Sequence, residues 1–472
     1  MGEYNLMWGV WSGWGETPAA AGPGSGNSPE SFVRKRLCVA VAVLYCGQRA
    51  APVFPTEKMM MRVMLNLTLV LAIGLFAASG AAAETSAEER PAYGVLYTVW
   101  IKAGDPVATV RVRLSRHPEW VRWMKFRVDP ERYSDFEGTG DLEITENSVL
   151  WHPPQEDAYL DFRVNLQSQR SSGGFDGVVN ETWALFRADD LIPPVRIDME
   201  DGTQSRAKLR LNLPEGWSLA TPFPRYTSGR LRIDNPDRLF DRPTGWIVAG
   251  DIGTRRETIG DSRVTVAAPI GQNMRRMDML AFLRWTVPTL QELFPQFPDR
   301  LLIVGADDPM WRGALSAPDS LYVHSDRPLI SENATSTVLH EIVHVAMGAR
   351  SVPGSDWIVE GLAEYYSLEA LHRSGTISDK RFAKAHADLA AWGETGGPLN
   401  SERSSGAITA RAVAVLRAID AEIRKSSGGE RSLDDVARQL TNEGKPITFE
   451  RFRELATAAA GAPLSSMPDF SD

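Results

Sequence analysis

The chain contains little cysteine: Cys38 and Cys46 are the only two among 472 residues. Both precede the most apolar run of the sequence, so cleavage of a leader after that run would leave a chain without any thiol. Such a chain can form no disulfide and offers no cysteine ligand to a metal. The sequence therefore excludes disulfide bonds and cysteine-ligated metal sites from a processed form.

An excess of basic charge is also lacking. Lysine and arginine number 51 against 60 acidic residues, which gives a formal net charge of −9. No basic stripe is present, so nucleic acid is not an expected partner. Internal repeats and heptads are absent. With 43% hydrophobic residues, the chain is long enough for two or three globular domains.

Long hydrophobic runs are scarce, and the clearest one extends from Val63 to Ala78. It is shorter than the roughly 20 residues that a membrane helix needs, and small residues follow at Ala81–Ala83. These features predict a signal peptide at 59–83 and an exported chain, periplasmic or extracellular, without a membrane span. The alternative is a membrane anchor formed by Val63–Ala78. Residues 1–58 are predicted to be a non-native or disordered leader.

The next part of the sequence, residues 92–265, has the pattern of a β domain. Short runs of valine, isoleucine, aromatic residues and threonine alternate with turn clusters, which predicts an antiparallel β-sandwich. The predicted strands are Tyr93–Ile101, Thr109–Leu114, Ala158–Leu166, Thr182–Phe186, Ala207–Leu213, Gly229–Ile233 and Trp246–Ala249.

From residue 270 the pattern becomes mainly helical. Two strands are predicted, Leu301–Val304 and, at the edge of a small sheet, Leu321–His324. Apolar spacing predicts the helices Arg275–Phe294, Thr335–Met347 with Gly348 as its stop, Trp357–Arg373 with Asp356 as its cap, and 379–392, 407–425, 432–442 and 448–460.

Histidine is rare, with seven residues, yet two of them stand in the segment His340-Glu341-Ile342-Val343-His344. Residues i and i+4 lie on one face of a helix, so both imidazoles can bind one metal ion. Glu341 lies about 100° round the same helix and can act on a water held by that ion. The motif H-E-x-x-H therefore predicts a catalytic zinc site.

A third ligand is available in Glu360, sixteen positions after His344. This gap allows the first helix to end and an antiparallel helix to return a carboxylate. Three protein ligands leave a fourth position for water, as in catalytic zinc sites. Glu364 lies four residues further on the same face and can accept a hydrogen bond from His340.

The motif together with the segment from Trp357 to Tyr365 resembles the gluzincins, the zinc peptidases that include thermolysin. Leu213–Trp217 and Ala410–Leu416 are similar to segments of the glycyl aminopeptidase family, without its PDZ domain. The resemblance implies an α+β chain with three parts: an N-terminal antiparallel β-sandwich domain (92–265), a thermolysin-like zincin catalytic subdomain (270–375) and a mainly helical C-terminal lobe (376–472).

The resemblance also implies an activity. The expected function is that of an exported peptidase with one Zn²⁺ per chain, bound by His340, His344 and Glu360. A zinc-activated water would attack the peptide bond of a peptide or protein substrate, with Glu341 as general base and then general acid. Glu364 maps onto the carboxylate that holds a ligand histidine in thermolysin.

Two positions depart from the related aminopeptidases. Thr409 stands where the family has an oxyanion-stabilising tyrosine, and Ser316 stands near a glutamate that binds the substrate's free amine. The departures leave open whether cleavage is exo or endo, and they motivate an alternative: a metal-binding pseudoenzyme that binds peptides without turnover. The candidate replacements for the tyrosine are Tyr365, Tyr366, Tyr322 and His324.

The leader yields the first testable prediction. Because Ala81–Ala83 suit a signal peptidase, amino-terminal sequencing of the processed protein is expected to begin near Glu84. Recovery of a membrane-held chain that still begins at Met1 would support the anchor formed by Val63–Ala78 instead.

Overall fold

The computed structural model describes residues 90–235 and 240–470. The predicted leader at 1–58, the signal peptide at 59–83 and both cysteines lie outside these residues. Within the described part of the chain, no helix combines the length and the apolar character needed to cross a bilayer.

The first part of the described chain consists of strands and two short 3-10 turns, Pro118–Trp120 and Ala188–Leu191. The strands are β1 Ala92–Trp100, β2 Val107–Arg116, β3 Val121–Arg127, β4 Tyr133–Gly138, β5 Asp141–Thr145, β6 Ser148–His152, β7 Tyr159–Asn165, β8 Ser168–Gln169, β9 Phe175–Val179, β10 Trp183–Arg187, β11 Val195–Met199, β12 Gln204–Asn212, β13 Ser218–Ala220, β14 Leu231–Ile233 and β15 Trp246–Gly250.

These strands form three sheets, in the orders β14-β12-β1-β2-β7-β4, β11-β3-β6-β5 and β13-β15-β10-β9-β8. Alternation decides which side faces inward: in β2, Val110 and Val112 are fully buried while Arg113 is exposed. The first two sheets share a core that includes Phe126 and Phe162. The sequence therefore folds as stacked sheets in this region.

One strand pair departs from the predicted antiparallel arrangement, because β1 and β12 are parallel over their whole length. About a hundred residues separate the two strands along the chain, so no tight hairpin fixes their relative direction. The long connection between them allows β12 to begin at the same end of the sheet as β1.

The second part contains a mixed sheet and the helices. Its elements are β16 Ile252–Ile259, β17 Ser262–Pro269, α1 Arg276–Leu293, β18 Arg300–Ala306, β19 Ala314–Ala317, β20 Ser320–His324, α2 Thr337–Met347, α3 Asp356–Arg373, α4 Asp379–Gly393, α5 Ala407–Ser426, α6 Leu433–Glu443 and α7 Phe449–Ala460. The mixed α+β class with a helical C-terminal part is confirmed, whereas the boundaries 92–265, 270–375 and 376–472 stay predictions.

The mixed sheet has the order β16-β17-β18-β20-β19, with β17, β18 and β20 parallel. Helix α1 connects β17 to β18, as parallel neighbours require a crossover. The predicted edge position of Leu321–His324 is wrong, because β20 pairs with β18 on one side and β19 on the other. Four-residue β19 occupies the edge, and its small residues gave too weak a pattern to identify it as a strand.

The two metal-motif helices begin and end at identifiable signals. In α2, the Ser336 side chain caps the Leu339 N–H, and Gly348 ends the helix in the left-handed region at φ 55°. In α3 the predicted cap is wrong by one residue. Ser355 occupies the N-cap position and Asp356 is the first helical residue, where its carboxylate favours the helix dipole.

Trp246 of β15 links the sandwich region to the mixed sheet. Its backbone N–H donates to Ser320 Oγ at 2.9 Å, and its indole Nε1–H donates to the Leu315 carbonyl at 3.0 Å. The ring lies 5.3 Å from that of Tyr322 and is fully buried. The β19–β20 hairpin is therefore fixed from outside its own sheet.

This link gives the second prediction. Trp246→Phe removes the indole donor inside the core, so the free energy of unfolding is expected to fall by about 1–3 kcal/mol in denaturant titrations. Trp285→Phe is the matched control, because Trp285 is 70% exposed on α1 and its change should stay within about 0.5 kcal/mol. Equal losses in both variants would contradict the role given to Trp246.

Candidate metal centre

Helix α2 is apolar on almost every side, and its apolar residues belong to the large core of the helical part. Three polar side chains nevertheless lie within it: His340, Glu341 and His344 are 4%, 7% and 6% exposed. Burying imidazole and carboxylate groups is costly unless they pair with one another or bind a metal. These three buried side chains are therefore candidates for a functional site and do not belong to a solvent-exposed face of the helix.

Helix α3 brings Glu360 against this face. Its Oε2 lies 3.4 Å from His340 Nε2 and its Oε1 lies 3.5 Å from His344 Nε2. The two Nε2 atoms are 3.1 Å apart. The ligand atoms of the three residues thus surround one common point.

These separations are those of ligands around a small cation. Zinc binds imidazole nitrogen and carboxylate oxygen at roughly 2.0–2.2 Å, which places tetrahedral ligand atoms about 3.3–3.5 Å apart. Nitrogen and oxygen donors at this spacing suit Zn²⁺ or a similar transition metal. The residues present therefore fit the metal that the motif predicts.

The charged groups of the centre also favour a bound cation. Glu341, Glu360 and Glu364 supply three carboxylates beside two imidazoles, all within the buried region between α2 and α3. Burial opposes ionisation of Glu360, but the two histidines outweigh it and hold its pKa well below the usual range. Burial also opposes a charge on His340, yet Glu360 and Glu364 raise the pKa of that imidazole well above its ordinary value. The centre thus attracts positive charge.

Glu364 fixes the orientation of His340. Its Oε2 lies 2.9 Å from His340 Nδ1, and the carboxylate is nearly fully buried. With Nδ1 donating to this oxygen, Nε2 is left to face His344 and Glu360. Carboxylates in this position set both the tautomer and the direction of a ligand histidine.

Glu341 is held by the edge strand. The backbone N–H of Ser316 in β19 donates to its Oε2 at 2.7 Å. Burial raises the pKa of Glu341, partly offset by His340 and His344. This backbone contact could not be found from side-chain patterns, because any residue at position 316 can supply the N–H. The Ser316 hydroxyl is buried and has no hydrogen-bond partner among the described residues.

The three tyrosines have hydroxyl partners outside the ligand set. Tyr365 donates to Asp420 Oδ2 at 3.1 Å, and Tyr366 donates to Asp434 Oδ1 at 3.2 Å. Tyr322 donates to the Trp311 carbonyl at 2.8 Å. His324 lies at the end of β20, beside Asp307 and Asp308. The structure does not bring these side chains into hydrogen-bond contact with the ligands.

Thr409 lies in the first turn of α5 and is 1% exposed. Its hydroxyl has no hydrogen-bond partner within residues 90–235 and 240–470. A role of this hydroxyl in stabilising an oxyanion stays a prediction.

One residue that organises the neighbourhood was missed. Asp420 of α5 accepts from Tyr365, from Arg424 Nε at 2.7 Å and from the Leu433 backbone N–H at 2.7 Å. Its only signal in the sequence is an acidic residue four positions after Leu416, at a spacing otherwise filled by apolar side chains.

No family model matches the chain, and no curated protein matches it. Among solved structures, it is similar to an aminopeptidase N family protein from Idiomarina loihiensis, with 16% identity, a TM-score of 0.61, and 80% of this chain and 77% of that one covered. Legionella pneumophila aminopeptidase A in complex with aspartic acid matches at 11% identity and a TM-score of 0.49, and the chain spans about half of its length, 49%. The first likeness shows a shared, peptidase-like fold.

Proposed function

We propose that the chain is an exported, zinc-dependent peptidase of the gluzincin type, related to the glycyl aminopeptidases. The observation that carries the proposal is the convergence of His340, His344 and Glu360 on one point, with Glu341 buried beside them. The aminopeptidase-like fold supports a peptidase over other users of the same motif. Export rests on residues 59–83 alone.

His340, His344 and Glu360 would hold the metal, and Glu364 would keep His340 in the ligating tautomer. Zinc in such a site supplies a Lewis acid that polarises a carbonyl and lowers the pKa of water towards about 7. The chain's own part in the chemistry falls to Glu341. This carboxylate takes a proton from the attacking water and returns it to the leaving amine.

The surroundings of Glu341 suit that task. Burial raises its pKa, which makes it a stronger base than an ordinary carboxylate near neutral pH. The Ser316 N–H holds one of its oxygens at 2.7 Å, so the group is oriented before substrate arrives. A general base must be held in position and must have a pKa near the working pH. The contact with β19 holds Glu341 in position.

The substrate is a peptide or a protein, and its free amine is not required. At Ser316 the chain has a hydroxyl where related aminopeptidases have a carboxylate, so this position offers no charge to an amino terminus. The proposal therefore includes cleavage of internal peptide bonds. A digest of a peptide library by the full processed protein, with and without chelator and read by mass spectrometry, tests activity and cleavage position together.

The alternative is a pseudoenzyme that binds metal and peptides without turnover. The observation that favours it is the engagement of the three tyrosine hydroxyls elsewhere, which leaves none of these tyrosines to stabilise an oxyanion. Chelator-sensitive cleavage in the digest excludes this alternative, and its complete absence from metal-loaded protein supports it.

Glu341→Gln provides the third prediction. The amide keeps the shape of the side chain but cannot accept the proton, so peptide cleavage is expected to fall by about 10²–10⁴-fold. Zinc content measured by elemental analysis should not change, because Glu341 is not a ligand. His344→Ala is the companion variant, and it should lose the zinc of this centre together with activity.

Two results would contradict this mechanism. Undiminished cleavage by Glu341→Gln would reveal a contaminating protease or another base. Full zinc content in His344→Ala would show that the ligand set is wrong.

Glu364→Gln provides the fourth prediction. The neutral amide no longer stabilises the Nδ1–H tautomer of His340, so zinc affinity measured by chelator competition should weaken by about 10–100-fold. Glu369→Gln is the control, since Glu369 lies on the same helix but pairs with Arg373. An equal loss of affinity in both variants would mean that α3 is merely destabilised.

A further inference from the structure

A second cluster of metal-ligating residues lies at the other end of the mixed sheet's central strands. Strands β18 and β20 are parallel neighbours in which Ala306 pairs with His324. Asp307 and Asp308 follow β18 directly, so the sheet register places both beside the last residue of β20. Their carboxylates and the His324 imidazole come within 4.8 Å of one another.

His324 distinguishes this cluster from an ordinary group of surface acids. Its side chain is 0% exposed, and its Nε2 has no hydrogen-bond partner among the described residues. The nearest oxygens are Asp308 Oδ1 at 3.6 Å and Asp307 Oδ1 at 3.8 Å, which is too far for a hydrogen bond. A buried nitrogen thus points between two carboxylates that do not satisfy it.

The same distances suit ligands that share a cation. In the H-E-x-x-H centre the corresponding separations are 3.1–3.5 Å, and here they are only slightly longer.

Both carboxylates are oriented by further contacts. Asp307 Oδ2 accepts from Asn273 Nδ2 at 2.7 Å, and its Oδ1 accepts from the Asp308 N–H at 2.9 Å. Asp308 Oδ1 accepts from Arg312 Nε at 3.0 Å, and its Oδ2 accepts from Arg312 Nη2. Such contacts hold metal ligands in place, and Arg312 leaves Asp308 as a ligand of reduced net charge.

We propose that Asp307, Asp308 and His324 form a second binding site, for a divalent transition metal such as Zn²⁺, with water completing the coordination. This ion would be additional to the one that the H-E-x-x-H motif predicts. The imidazole argues against Ca²⁺ and Mg²⁺, which select oxygen ligands.

Binding requires the lone pair of His324 Nε2, so the ring proton must lie on Nδ1. The Asp326 carboxylate can accept that proton, but its Oδ2 lies 3.9 Å from Nδ1 and would have to move closer to form the hydrogen bond. The Asp326 backbone N–H now faces Nδ1 at 3.2 Å, and this contact opens when the metal binds. Water takes the proton from Nε2 and a second water molecule supplies one to Nδ1, so the number of protons on the ring is unchanged.

The site would act as a structural clamp. The segment after β18 also contacts the sandwich region, where the Trp311 N–H donates to the Phe175 carbonyl at 2.8 Å and the Phe175 N–H donates to the Pro309 carbonyl at 3.1 Å. A metal that joins Asp307 and Asp308 to the end of β20 would therefore give this segment a further attachment beside its contacts with Phe175. Its expected effect is on stability.

Metal counting on the full chain tests the proposal. After loading with Zn²⁺ alone and desalting, elemental analysis should find two zinc ions per wild-type chain and one in His324→Asn. His344→Ala should also retain one, and the double variant none. The midpoint of thermal unfolding should rise with the second equivalent in wild type and in His344→Ala, but not in His324→Asn.

Two further variants keep the test decisive. His386→Asn is the matched control, because His386 is buried with an equally unpartnered Nε2 but packs against the rings of Phe382 and Tyr365. It should retain both ions. Asp308→Asn changes an exposed residue and should weaken the second zinc by at least about tenfold without disturbing the fold.

A wild-type chain that binds one zinc, lost in His344→Ala, would overturn the second site and leave the proposed peptidase centre intact. The same zinc content in His324→Asn and wild type would also overturn it. Loss of the zinc in His324→Asn but not in His344→Ala would support the second site while contradicting the peptidase centre.

Discussion

The buried contact between Glu360 and two imidazoles is the interaction on which the centre depends. A carboxylate inside a helical core needs polar partners close by, and here they are His340 and His344 at 3.4 and 3.5 Å. The requirement fixes the distance between α2 and α3 and the rotation of each helix. Removing one partner would leave a buried charge unpaired, which is far more costly than losing a surface pair.

The rotation of α3 is set from its other side. Gly361 and Tyr365 are four residues apart and face α5, while Glu360 and Glu364 face α2. A Cβ at Gly361 would lie 2.8 Å from the Ala412 Cβ and 2.9 Å from Leu416 Cδ1, so only glycine allows this approach without a shift. Ala412, Leu416 and Asp420 form an i, i+4, i+8 row on α5, which packs against the row of Gly361 and Tyr365. The bond from Tyr365 to Asp420 completes the contact.

The sequence predicted the placement of residues where placement depends on local spacing, and it failed where placement depends on distant partners. The motif on α2 and the return of Glu360 follow from helix geometry, and most helices lie close to their predicted bounds. Eleven strands were missed, namely β3–β6, β8, β9, β11, β13, β16, β17 and β19, because short or mixed runs become strands only through pairing with neighbours that the local pattern does not reveal. The engagement of Tyr365 was not predictable either, since its partner Asp420 lies 55 residues away.

The β19–β20 hairpin connects these features. Its backbone N–H at Ser316 holds Glu341, its carbonyl at Leu315 and its hydroxyl at Ser320 are fixed by Trp246, and His324 ends it. Since strand residues advance about 3.3 Å each, His324 lies roughly 10 Å along β20 from Leu321, the residue that pairs with Ser316. A displacement of the hairpin by a fraction of its length would move the Ser316 N–H out of reach of Glu341. The sandwich contact through Trp246 is therefore part of what positions the proposed base, although it touches none of the metal ligands.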